Sequence, residues 1–172
     1  NSNILSVSSG SVPAGGPNCV AVNALGEFYI SDTGNNVIRK VSNGIISTAV
    51  GFAVPTVGNN GITTNAGLSG YAGDGGLPTE ALMAAPQGIG LSADGNKLCI
   101  ADTGNHIVRE VDFSKTPNTI VTIAGIAADG SSDGNLPILG WQSRLNSPLG
   151  CAYDPAGNVF ITDAVNNRIL MV

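Results

Sequence analysis

Phe28-Tyr29-Ile30-Ser31-Asp32-Thr33-Gly34-Asn35-Asn36-Val37-Ile38-Arg39 decides how this chain reads, because it returns twice. Leu98-Cys99-Ile100-Ala101-Asp102-Thr103-Gly104-Asn105-His106-Ile107-Val108-Arg109 repeats it closely, and Val159-Phe160-Ile161-Thr162-Asp163-Ala164-Val165-Asn166-Asn167-Arg168-Ile169 repeats it with changes. Each copy follows a short segment that opens on a proline, at Pro17, Pro86 and Pro148. Short strands repeated on this scale are the mark of propeller blades or of a solenoid.

Each copy predicts several strands. One follows the proline, as at Gly88 to Leu91, and a turn such as Ala93-Asp94-Gly95-Asn96 ends it. The next, Phe28 to Ser31 and its equivalents, is apolar or small on both faces, and such a strand is covered on both sides. Asp-Thr-Gly-Asn then reads as a turn, with Gly34 or Gly104 at positive φ and Asp32, Asp102 or Asp163 bonding its own turn. A third strand follows, and the first two copies add a fourth at Ile45 to Gly51 and Ile120 to Gly125. Residues 17–51, 86–125 and 148–172 are therefore blades A, B and C of one all-β segment, and 52–85 and 126–147 connect them. In the first connection Pro78-Thr79-Glu80 opens a helical turn with proline at its start.

Composition narrows the function classes. The 172 residues are 42% hydrophobic, enough for one core, and only 11% charged with 24 glycines, which favours turn-rich β structure over helix. A net charge of −5 and seven scattered basic residues supply no phosphate-binding surface, so nucleic acid is excluded as a partner. No run reaches the roughly 18 apolar residues of a membrane span. Cys19, Cys99 and Cys151 lack metal-ligand spacing; one pair could form a disulfide, and buried free thiols on strands are the plainer reading. The low-charge surface, rich in Asn, Ser and Thr, points to an extracellular or cell-surface location.

Pro-x-Gly-Ile, Thr-Gly-Asn-(Asn/His)-x-Ile-Arg, Ile-x-Thr-x-Ala-Gly and the linker Tyr71-Ala72-Gly73-Asp74-Gly75-Gly76 together resemble the NHL-repeat family across almost the whole chain. The resemblance implies a six-bladed β-propeller of four-stranded blades, of which this chain holds half. Blade C departs from the pattern. Val165 stands where the turn glycine is expected, and Leu170-Met171 replaces Arg39-Lys40 and Arg109-Glu110.

Blade C also lacks a fourth strand, while residues 4–10 (Ile4-Leu5-Ser6-Val7-Ser8-Ser9-Gly10) match the fourth-strand pattern. The expected function is a non-enzymatic interaction module whose orphan strand completes blade C of the next copy, head to tail, closing a ring or extending a filament. Ile4, Leu5 and Val7 would meet Ile169, Leu170, Met171 and Val172. The alternatives are a lyase- or lactonase-like propeller enzyme with an axial metal, and a piece of a longer adhesion or ligand-binding propeller with the remaining blades as partner. No catalytic constellation or cofactor site is visible. His106 is the single histidine and sits in a turn, and the repeated aspartates read as structural because active sites are asymmetric. Asp74, Asp129 and Asp133 are weak calcium candidates, without regular ligand spacing. Arg39, Lys40 and Arg109 read as solvated strand ends.

Overall fold

The computed structural model describes residues 15–57, 63–127, 130 and 142–172. Blade A is an antiparallel sheet in the order β1 (Val20–Val22), β2 (Phe28–Asp32), β3 (Val37–Ser42), β4 (Ile45–Val50). A two-stranded hairpin follows, β5 (Ala53–Val57) with β6 (Thr63–Gly67). Blade B repeats the four-stranded order with β7 (Ile89–Leu91), β8 (Lys97–Asp102), β9 (Ile107–Asp112) and β10 (Thr119–Ala124). Blade C comprises β11 (Pro148–Tyr153), β12 (Val159–Asp163) and β13 (Arg168–Met171).

The cores lie between the sheets. On β8, Leu98 and Ile100 pack toward blade A with Tyr29, Ile38, Val50 and Met83. Alternate residues Cys99 and Ala101 pack toward blade C with Leu145, Cys151, Val159 and Ile161. Period-two alternation thus fills two cores from one strand, which is why both faces had to be apolar or small. The innermost strands touch along their backbones: a Cβ at Gly88 would stand 2.5 Å from the Cα of Gly150. Only glycine permits that approach.

Connections are pinned to the seams. Met83 and Leu145 are fully buried at equivalent places, and Pro78–Glu80 forms a 3-10 turn with the proline leading. The β5–β6 hairpin falls inside what the sequence reads as plain connection. Its alternating Val54, Thr56 and Thr64 around Asn59-Asn60-Gly61 was the available signal. Cys19, Cys99 and Cys151 are free thiols on or beside the strands. Among the described residues no helix is long and apolar enough to cross a membrane.

Candidate assembly interface

The Asp turns of blades B and C tie each of these blades to the connection that precedes it. Asn35, Asn105 and Asn166 donate Nδ2 hydrogens to Asp32, Asp102 and Asp163 at 2.9 Å. The N–H groups of Ala84 and Asn146 donate to Asp102 and Asp163 at 2.8 and 2.7 Å. Those bonds come from the incoming connection, so these carboxylates join two segments rather than only closing their own turn. Burial lifts the Asp102 carboxyl to about 6, against the Ala84 N–H, the Asn105 amide and the Arg109 charge. All three carboxylates are engaged by the amide of the asparagine that follows in the turn.

The turn glycines hold their place for a different reason than positive φ. The left-handed residue is the third after the Thr or Ala, namely Asn36 (φ 53°), His106 (58°) and Asn167 (52°). Gly34 is required because a Cβ would overlap the carbonyl oxygen of Gly15, and one at Gly104 would lie 2.9 Å from that of Ala84. Val165 therefore meets no positive-φ strain, and blade C keeps its left-handed Asn167. His106 does the work of Asn36: its Nδ1 accepts the Ser147 N–H at 3.0 Å, as Asn36 Oδ1 accepts that of Ala85 at 2.8 Å.

The strand arginines are structural and inward. Arg39 Nε donates to Asp32 at 3.0 Å. Arg109, expected at a solvated end, is fully buried. Its Nη atoms bond the carbonyls of Leu82 and Ala72 and the carboxylate of Asp74, and Nη1 stands 3.8 Å from Asp102. The connection folding over β9 buries it, which no local pattern announces. Arg168 binds Asp163 at 2.7 Å and the Arg144 carbonyl at 2.7 Å, although it lies two residues earlier than its counterparts. Positions two apart share a strand face, so the contact survives and Leu170 is freed to join the core.

Asp74, one of the calcium candidates, is spent on Arg109, the Thr122 N–H and the Tyr71 hydroxyl. Burial pushes its carboxyl up, and Thr122, Arg109 and Tyr71 together hold it below its ordinary range. Tyr71 lies over the Arg109 guanidinium at 5.5 Å. Asp129 and Asp133 lie outside the described residues, as do Ile4, Leu5 and Val7.

What remains open is a pair of sheet faces. Ile38 and Val108 are fully buried, yet their equivalent Ile169 is 63% exposed. Met171 beside it is 60% exposed, and Phe160 and Leu149 are exposed on the same sheet. At the other end of the array, Val20 is 58% and Val22 62% exposed, where the equivalents of Val20, Ile89 and Cys151, are buried. Leu170 and Val172 were expected at this interface but turn inward against the B–C core. Pleating divides the run: Ile169 and Met171 outward, Leu170 and Val172 inward. Phe160, Val20 and Val22 were missed, although the same alternation marks them.

Neighbouring blades are latched by hydroxyls. Thr33 and Thr103 donate to the carbonyls of Pro86 and Pro148 in the next blade at 2.6 and 2.7 Å. Blade C carries Ala164 at that position.

No protein-family model matches the chain. It is similar to the Arabidopsis thaliana protein Suppressor of Quenching 1, chloroplastic, with 35% identity over 91 residues, 52% of this chain and 8% of that protein. Among solved structures it is similar to a structural genomics protein of unknown function from Bacteroides thetaiotaomicron, with a TM-score of 0.65 and 22% identity. That match covers 85% of this chain and 32% of the other. An auxiliary nutrient binding protein from Bacteroides ovatus aligns with a TM-score of 0.58 and 21% identity, over 88% of this chain and 36% of the other. The chain spans about a third of these matched structures. At such identities the likeness bears on fold alone, and the fold is that of consecutive β-propeller blades.

Proposed function

We propose that the three blades, of NHL type by their motifs, form a non-enzymatic interaction module that associates head to tail with a second copy. The exposure of Ile169, at a position fully buried in the other two blades, carries the reading. The open face of blade C is equivalent to faces that already cover a neighbour at the A–B and B–C seams. The open face of blade A is equivalent to the faces that receive them. Contact between the two is heterologous, and closes into a ring or continues as a filament. Ile4, Leu5 and Val7 would pair along β13 of the neighbour, in the place β4 and β10 hold in blades A and B. Burial of each exposed apolar side chain contributes on the order of 1.5–3 kcal/mol. Association costs about 4–15 kcal/mol, so several side chains and the donated strand are needed together.

Native mass across a concentration series tests this, with Ile169→Asp and Val20→Asp as probes. Each variant alone should remain monomeric, while an equimolar mixture should pair, because each retains the face the other lacks. A Val20→Asp protein that assembles unaided would refute a head-to-tail contact. A wild-type chain monomeric throughout would favour a second reading, in which further blades of a longer propeller cover both faces. The span of about a third of the matched structures supports that reading.

A further inference from the structure

Between blades A and B, at the end carrying the β1–β2 and β3–β4 turns, lies a cleft of about 620 Å³. That volume falls within the range of about 300–1,000 Å³ typical of small-molecule sites. Phe113 and the 85% exposed Leu25 line part of its wall, and Phe113 is stacked on Tyr29 with centroids 5.5 Å apart. Facing them are Ser47 from β4, Thr79 from the 3-10 turn and Asn118 from the β9–β10 connection. These three residues are exposed to solvent, and among the described residues their side chains make no hydrogen bond to the protein. An apolar wall opposite uncommitted donors and acceptors suits a ligand with both characters.

Charge narrows the ligand. Lys40 sits over the Tyr29 ring at 5.6 Å and pairs with Glu27 at 2.9 Å, so it offers no free positive charge to an anion. Glu27 is bound by Lys40, Asn23 and Ser42, which hold its carboxyl far down at about 2, and it has little left for a cation. Asp94 is likewise engaged by Ser92 and Asn96. A wholly apolar ligand would leave Ser47, Thr79 and Asn118 desolvated and unpaired. A neutral, polyhydroxylated ring remains, with C–H faces for the apolar wall and hydroxyls for the polar one.

The B–C seam carries a larger side chain at one equivalent place. Tyr153 stands where the A–B seam has Leu91, and its hydroxyl reaches Glu110 at 2.8 Å beside the Lys97–Glu110 pair at 2.9 Å. The same ion pair occurs at both seams with its charges exchanged. We propose that the A–B cleft binds a neutral sugar residue of an oligosaccharide, seated against Phe113 and Leu25 and hydrogen-bonded by Ser47, Thr79 and Asn118.

Titration of the isotope-labelled intact chain with maltotriose, cellotriose, mannotriose and N-acetylchitotriose, followed by amide chemical shifts, tests the site. Glucuronic acid and glucose 6-phosphate serve as charged comparators. At least one neutral trisaccharide should give saturable shifts centred on residues 23–27, 47–49 and 113–118. Asn118→Ala and the rim variant Leu25→Ser, both at exposed positions, should each weaken binding about tenfold with the spectrum otherwise retained. Phe113→Ala should abolish it. Absence of saturable shifts with all four trisaccharides would overturn the proposal, as would tighter binding of a charged comparator. Unchanged affinity in both Asn118→Ala and Leu25→Ser would place binding elsewhere and overturn it equally.

Discussion

Blade B and blade C share a strand pattern and an Asp-centred turn, yet one is covered on both faces and the other on one. In blade B, Leu98 and Ile100 face one neighbour while Cys99 and Ala101 face the other, and Arg109 is sealed under a connection. In blade C the inward row of Cys151, Ile161 and Leu170 is packed, while Phe160, Ile169 and Met171 face outward uncovered. The difference teaches that a blade's sequence sets its strands, whereas its neighbours set what those strands can tolerate.

A charge placed at equivalent positions breaks that comparison most strongly. Val108→Asp buries an unpaired carboxylate and should cost more than about 4 kcal/mol, enough to unfold the chain. Ile169→Asp should leave monomer stability within about 0.5 kcal/mol. Urea midpoints at a concentration too low for association measure both; equal losses would mean that blade C's outer face is covered within one chain.

Removing the arginines ranks next. Arg109→Ala leaves Asp74 and Asp102 without their buried partner and should cost about 3–5 kcal/mol. Arg168→Ala, at a more exposed site, should cost about 1–2 kcal/mol by losing charge-assisted bonds to Asp163 and Arg144. Thermal unfolding of the two variants side by side checks the order.

The third prediction concerns pH. Asp102 rises from its ordinary 3.8 to about 6 on folding, so the fold favours its protonated form. Its stabilising contribution is present below pH 3.8 and is lost as pH rises through about 6. Glu27, lowered to about 2, acts oppositely, losing its contribution as pH falls through that value. The stability of the wild type relative to Asp102→Asn should therefore fall by about 2 kcal/mol between pH 4 and pH 6. A flat difference across chemical denaturation curves in that window would show the carboxyl is unshifted.

The smallest effect sharpens the comparison rather than breaking it. Ala164→Thr would restore the hydroxyl that latches blades A and B to their successors, and should tighten head-to-tail association by about 0.5–1.5 kcal/mol. Sedimentation of the variant against wild type reads this directly, and no tightening would mean that blade C's neighbour lacks the proline carbonyl in register.

Much of the fold was legible because the chain states it three times. Strand positions and the Asp turn follow from spacing and alternation within each copy. The side of a strand end is harder to read, since Leu170 and Val172 turn inward only because blade B stands behind them. Arg109 looked solvated because the segment that buries it lies far away in sequence and reaches it through carbonyls rather than a charge pattern. The cleft is lined from segments far apart in sequence, among them residues 23–27, 47–49, 94–96 and 113–118, which come together only once the seam is built.

The two-residue displacement of Arg168 keeps its partner. A blade can move its guanidinium along β13 by one full pleat and still deliver it to the same carboxylate, while a step of one residue would present it to the opposite neighbour. Within this chain an even step therefore keeps the guanidinium on its face, where an odd one would change it.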